Sequence, residues 1–255
     1  MPEPALTPER RRAECDPEGL AVPARASFVE LGMASCFSFL RGASDAVDLA
    51  TTARALGYDA LGIADANTMA GVVRLHSEAH ALGLRPVIGC RIETAEGLAF
   101  LAYPTDRAAY GRLCRLISAG RMGRLDGSWQ DKGVCEISLA VLAEWSEGVQ
   151  LVGLPPGDLA AEFTVEVKNN IIPLPLRGGV RGGAYPLEAT LGEKPHPNPS
   201  AEEEGLKLTA SFIDLLPHLT AQLPSLHHIA ASYLYTGDDI ARIEALDALA
   251  RANGL

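Results

Sequence analysis

Between Phe28 and Leu154, short apolar runs alternate with stretches of helical periodicity, and this alternation restricts the fold more than any other feature of the chain. Residues 28–33 are short and loosely alternating, as a strand is. A helix is expected from Ser44, whose hydroxyl is placed to cap free N–H groups. Val47, Leu49, Ala50, Ala53 and Leu56 then recur at helical spacing, and Gly57 stops the run. Residues 60–64 read as a second, buried strand, residues 68–82 as a helix stopped by Gly83, and residues 85–92 as a third strand. Residues 97–103 read as a fourth, antiparallel to the third or extending from it. Residues 106–119 read as a helix carrying Ala109, Leu113, Leu116 and Ile117 on one face. A polar, glycine-rich loop follows over 120–133, then a short helix over 138–145 capped by Ser138, then a strand over 148–154 stopped by Pro155-Pro156. Strands separated by helices pair in parallel through crossovers, so the predicted class is α/β.

The alternation then breaks. Residues 164–207 contain Pro173, Pro175, Gly178-Gly179, Gly182-Gly183, Pro195, Pro197 and Pro199. Proline removes ladder donors and glycine raises the cost of ordering, so a low-complexity insert is expected there, read as a tolerated insertion rather than a lid. Periodicity returns at Leu208: a helix over 210–222, a strand over 226–231, and a helix over 238–253 with Ile240, Ile243, Leu246 and Leu249 on one face. The expected organisation is a disordered leader over 1–27, a first domain part over 28–163, the insert over 164–207, and a truncated continuation over 208–255. Residues 252–255 read as the approach to a further strand, and a missing strand leaves an open parallel edge with unpaired backbone groups.

Several function classes are excluded early. A 47% hydrophobic chain of 255 residues is no disordered segment. No apolar run approaches the ~18 residues that a membrane span needs. A net charge of -10 argues against binding nucleic acid by overall charge. The cysteines, Cys15, Cys36, Cys90, Cys114 and Cys135, are odd in number and scattered, so they read as small buried hydrophobes in a reducing cytoplasm rather than a disulfide framework. Arg10-Arg11-Arg12 precedes no apolar core and reads as a solvated tail. His76 and His80 lie four apart on one predicted helix face, without a third ligand in view. His227 and His228 occupy adjacent strand positions that point to opposite faces. Asp238-Asp239 suit the positive end of the last helix.

Three blocks carry a resemblance. Phe28-Val29-Glu30-Leu31 through Ser38-Phe39-Leu40-Arg41-Gly42-Ala43-Ser44, then Gly62-Ile63-Ala64-Asp65-Ala66-Asn67-Thr68-Met69-Ala70-Gly71, then Pro86-Val87-Ile88-Gly89-Cys90 resemble the opening motifs of the polymerase-and-histidinol-phosphatase (PHP) family. With Tyr103-Pro104-Thr105-Asp106-Arg107 and Tyr110-Gly111-Arg112-Leu113-Cys114, the chain is similar to the N-terminal domain of error-prone C-family DNA polymerases of translesion synthesis. The resemblance implies a distorted TIM-like α/β barrel, here incomplete at its C-terminal strand, which in metal-bearing members holds a metal cluster.

At the implied ligand positions this chain has Gly32, Ala34, Ala66 and Arg91, and Asp65 is the one retained match. Glycine and alanine offer no donor and an arginine repels a cation, so the expectation is a degenerate site with no catalytic, cofactor or metal residue in this chain. The resemblance further implies magnesium on palm carboxylates elsewhere in the intact polymerase. As partners it implies the remaining polymerase body, DNA and translesion-synthesis companion proteins, without a membrane, in the cytoplasm. On that reading the chain alone is inactive. The alternative is a metal-dependent phosphoesterase or nuclease of the same family.

Overall fold

Patterning along the chain resolves into eight strands and six helices in the computed structural model, which describes residues 28–124, 128–167 and 206–255. In order they are β1 (Glu30–Met33), α1 (Ala46–Ala55), β2 (Ala60–Ala66), α2 (Val72–Ala81), β3 (Arg85–Glu93), β4 (Ala99–Pro104), α3 (Arg107–Met122), α4 (Leu139–Trp145), β5 (Val149–Leu154), β6 (Glu162–Val167), β7 (Leu206–Ser211), α5 (Phe212–Gln222), β8 (Leu226–Ile229) and α6 (Asp239–Ala252). Six strands form one sheet in the order β1-β2-β3-β4-β5-β8, and β6 pairs with β7. The first three strands are parallel, β4 is antiparallel to both β3 and β5, and β8 is parallel to β5. Only residues 94–98 separate β3 from β4, far too few for a parallel crossover, so that pair turns back on itself. Among the described residues β1 and β8 are the outer strands.

Strand alternation sends side chains to two different faces. From β2, Leu61 and Ile63 pack against Ala46 and Ala50 of α1 and Val72 and Leu75 of α2. Ala64 points the other way, to Leu101 and Tyr103 of β4. The largest cluster joins Cys90, Ile92, Phe100 and Leu151 to Leu113 and Leu116 of α3, Leu142 of α4, and Phe212 and Leu215 of α5. The face that carries Tyr103 is narrow. Its ring crosses β3 over Gly89, where a Cβ would stand 2.4 Å from Cε1, and its hydroxyl donates to the Leu31 carbonyl at 2.6 Å. Burial, and then the charge of Glu30, hold the Tyr103 phenol above its ordinary value.

Several expectations need correction. Ser44 does not cap the first helix: α1 starts at Ala46 behind Asp45, with no side-chain cap. The Ser44 carbonyl instead accepts from the Cys36 amide at 2.9 Å, and Asp45 is drawn to Arg74 at 3.1 Å. α2 begins at Val72 rather than at 68, because Asn67 turns the chain at φ +47. The expected insert narrows at both ends. β6 and β7 pair from Glu162↔Ser211 to Val167↔Leu206, because the ladder buries Val165 and brings the Thr164 and Thr209 hydroxyls to 2.8 Å. Ala210 and Ser211 therefore belong to a strand, and Ser211 caps α5 through the Asp214 amide. Residues 168–205 and the leader 1–27, with Arg10-Arg11-Arg12 and Cys15, lie outside the described residues.

In α6, Ile240 is 67% exposed and Leu246 is buried, so Ile240 leaves the predicted apolar face. The inward residue at the helix start is Asp239, which accepts from the amides of Leu234, Tyr235, Thr236 and Gly237. Burial alone would raise its carboxyl, and these donors outweigh it and hold it below the ordinary range. Asp238 takes the Thr236 hydroxyl at 2.7 Å and makes no side-chain cap, while Asp239 stands in the first turn of α6, where its charge suits the positive helix end as expected. A register slip between Leu151↔Leu226 and Val152↔His228 interrupts the alternation at His227, and both histidines are exposed. Of the described cysteines only Cys90 is buried, its thiol pushed up to about 12 by burial; Cys36 is exposed, and Cys114 and Cys135 are half-buried. No described helix is long and apolar enough to cross a membrane.

Candidate functional site

The carboxyl ends of β1, β2 and β3 bring most of the expected site residues to one end of the sheet, but on two faces. A Cβ on Gly71 would stand 2.6 Å from Asp65 Oδ2, 2.8 Å from Ile63 Cδ1 and 2.9 Å from Ser35 Oγ. Asp65 therefore lies on the helix-covered face with Ile63. Ala66 and Arg91 are register partners on the opposite face, and a Cβ on Gly32 would look toward Leu101 there at 3.8 Å. Ala34 sits in the turn after β1, where its carbonyl passes 2.7 Å from the Cβ position of Gly42. Gly32, Ala66 and Arg91 thus share a face that Asp65 does not.

Asp65 is 1% exposed and is the hub of a polar knot. Its Oδ1 accepts from the Ser35 amide at 2.7 Å and the Ser38 hydroxyl at 2.6 Å, and its Oδ2 accepts from the Ser35 hydroxyl at 2.7 Å. Ser38 Oγ in turn accepts from the Ala66 amide at 3.0 Å. Charge-assisted hydrogen bonds of this length are the strong kind, and they occupy both carboxylate oxygens. Ser35 and Ser38 are also buried, so the knot fastens the loop between β1 and α1 onto β2. That loop holds a tight turn, with the amides of Arg41 and Gly42 both donating to the Ser38 carbonyl at 2.9 Å.

On the other face, Arg91 Nε donates to Glu93 Oε1 at 2.9 Å, and Arg41 reaches the same oxygen. Asn67 joins the strand ends. Its amide donates to the Arg91 carbonyl at 2.8 Å, its side chain spans the Glu93 backbone, and its own carbonyl accepts from Arg121 Nε at 3.1 Å and Nη2 at 3.0 Å. A guanidinium has only donors, so Arg91 itself cannot ligate a cation. Beside Arg91 a cavity of about 270 Å³ is walled by Leu98, Leu154, Pro155, Pro156 and Phe163. His76 and His80 stand exposed on α2 with ring centroids 4.5 Å apart. Among the described residues no group of three or more His, Cys, Asp or Glu is gathered to hold a metal ion.

Ser35, Ser38, Asn67 and Glu93 were not anticipated from the sequence. A signal for the first pair was present: an aspartate inside the apolar run 60–66 must find donors when that strand is buried, and Ser35 and Ser38 are polar residues of the preceding loop.

The PHP domain family model matches residues 30–172. The chain is 45% identical over 133 residues to an error-prone DNA polymerase of Allorhizobium ampelinum, covering 52% of this chain and 11% of that protein. It is 56% identical over 95 residues to error-prone DNA polymerase 3 of Agrobacterium fabrum, covering 37% of this chain and 9% of that one. The chain thus spans about a tenth of the length of these curated relatives. Among solved structures it is similar to a chain described as a metal-dependent phosphoesterase from Bifidobacterium adolescentis, with a TM-score of 0.52 at 15% identity, covering 92% of this chain and 86% of that one. That likeness is one of fold: a PHP-type, distorted TIM-like α/β barrel.

Proposed function

The chain belongs to the PHP domain family, and from that premise we propose that it is the N-terminal module of an error-prone DNA-directed DNA polymerase acting in cytoplasmic DNA repair and translesion synthesis. The observation that carries this reading is the 45–56% identity to proteins of that name over the PHP region. In the proposed whole protein, DNA and deoxynucleoside triphosphates are the substrates, magnesium is held by carboxylates outside this chain, and translesion-synthesis companions are the partners.

Within this chain the proposed role is structural. A PHP metal cluster needs several lone-pair donors converging on one cavity. Gly32, Ala34 and Ala66 offer no side-chain donor, Arg91 offers a cation, and the two oxygens of Asp65 face away and are already bonded. The residues present do not fit a metal cluster, and no catalytic step is assigned to them.

The test is a hydrolysis and extension assay on the full chain with added manganese or magnesium. Neither hydrolysis of a phosphodiester or phosphomonoester nor primer extension is expected above a buffer control. Manganese-dependent hydrolysis that disappears in Asp65→Ala, with folding intact, would replace this reading by a metal-dependent phosphoesterase.

A further inference from the structure

We infer that the cavity beside Arg91 binds a small organic carboxylate, with the carboxylate on Arg91 and an apolar body against Leu98, Leu154 and Phe163. The cavity measures about 270 Å³ and lies at the carboxyl ends of β3 and β5. Register sets Arg91 beside Leu101 and Leu154 beside Ala99, so the arginine and the apolar wall share the sheet face opposite Asp65. The Phe163 ring closes one side, 3.7 Å from the Cβ position of Gly97. Arg91 is the one charged side chain among the described residues that line the cavity. Its Nε donates to Glu93, which Arg41 also holds, and no described residue binds its two terminal nitrogens. A guanidinium anchored through Nε presents those nitrogens as a fork, the geometry that a carboxylate accepts.

The groups behind the walls are the second, independent observation. Arg242 donates from Nη1 to the Gly157 carbonyl at 2.8 Å and from Nη2 to the Pro156 carbonyl at 2.7 Å, so a guanidinium offsets the lone pairs of two lining residues. Its Nε is buried and has no partner among the described residues. The carboxylates on the same segments are turned elsewhere. Glu93 lies between two arginines, Glu96 accepts from the Leu139 amide, and Asp158 accepts from the Ala160 amide. Asp238 takes the Thr236 hydroxyl, and Asp239 takes the loop amides before α6. Glu162 alternates with Phe163 along β6 and so points away from the cavity. A phosphate dianion would find one fork and apolar walls, leaving oxygens without donors. A monocarboxylate sets its charge on the fork and buries its apolar body. The site rests on this chain's own residues and stands or falls apart from the proposal above.

The experiment is saturation-transfer NMR and calorimetric titration of the full chain with phenylacetate. Saturable binding is expected with a Kd of about 1 mM, and the neutral phenylacetamide is expected to bind about tenfold more weakly. Arg91→Gln is expected to weaken phenylacetate binding by about tenfold. Ala99→Leu, which enlarges a side chain on the cavity wall, is expected to abolish it. Arg91 is partly exposed, so its variant keeps the test open where Ala99→Leu disturbs packing. Arg251→Gln, a control on α6, is expected to change nothing. N-acetylphenylalanine distinguishes the source of the carboxylate: tighter binding than phenylacetate points to a chain terminus, weaker binding to a free acid, and either supports the site. Three results would overturn it: no saturable binding of phenylacetate, binding of phenylacetamide or inorganic phosphate as tight as that of phenylacetate, or binding that either folded variant leaves unchanged.

Discussion

Replacing Asp65 with alanine is expected to lower the stability of the chain by about 3 kcal/mol, a drop of about 10 °C in the thermal midpoint for a domain of this size. The carboxylate accepts three hydrogen bonds, two from Ser35 and one from Ser38, at 2.6–2.7 Å. Removing it strands a buried amide and two buried hydroxyls, and stranded donors cost more than the bonds themselves contribute. Ser35→Ala leaves Asp65 Oδ2 without a donor and the Phe37 amide without its acceptor but keeps the two bonds to Oδ1, so its cost is expected to be about 2 kcal/mol. Thermal or urea unfolding of the two variants checks both numbers. An Asp65→Ala midpoint equal to that of the parent chain would mean that the knot does not hold the loop.

Gly42→Ala is expected to be at least as damaging. A Cβ there would stand 2.1 Å from the Ser35 carbonyl oxygen, 2.6 Å from the Ser35 carbonyl carbon and 2.7 Å from the Ala34 carbonyl oxygen. All three are backbone atoms, so no rotamer change relieves the overlap, and the turn over 35–44 has to open. Opening it pulls Ser35 and Ser38 from Asp65 and breaks the Cys36–Ser44 bond, for a loss of about 3 kcal/mol or more. Gly83→Ala is the matched control. That glycine has φ +70 and open space around it, so only the left-handed backbone is penalised, by about 1 kcal/mol. Equal midpoints for the two variants would contradict the close approach at Gly42.

Much of this fold was legible in the sequence because it is local. Ser138 caps α4, Gly57 and Gly83 adopt positive φ where helices stop, and residues 60–66 form a buried strand, all from neighbours within a few positions. The misreadings came from distant partners. Ser44 was the obvious cap, but Asp45 held the position because Arg74, nearly thirty residues on, drew its carboxylate. The β6–β7 ladder was missed because its arms are separated by residues 168–205 and each is weak alone; pairing of Val165 with Leu208 makes the strands.

The candidate site divides the same way. That Gly32, Ala34, Ala66 and Arg91 carry no ligand atoms follows from residue type alone. The direction of Asp65 does not, because a turn between β2 and α2 and a loop after β1 decide what meets it. Asp65 looked like a remnant of a metal site, and its bonds make it the anchor of a loop whose Ser35, Ser38 and Gly42 all depend on it.

Hydrogen bonds on Asp65 and an arginine–glutamate pair fill this end of the sheet, and on the proposed reading no metal cluster binds there. Thermal unfolding of the full chain in chelator, and again with excess manganese or zinc, tests it most directly, because a ligand that binds only the folded state must raise its midpoint. The same midpoint is expected in both conditions. A rise of several degrees with metal, abolished by Asp65→Ala, would contradict it.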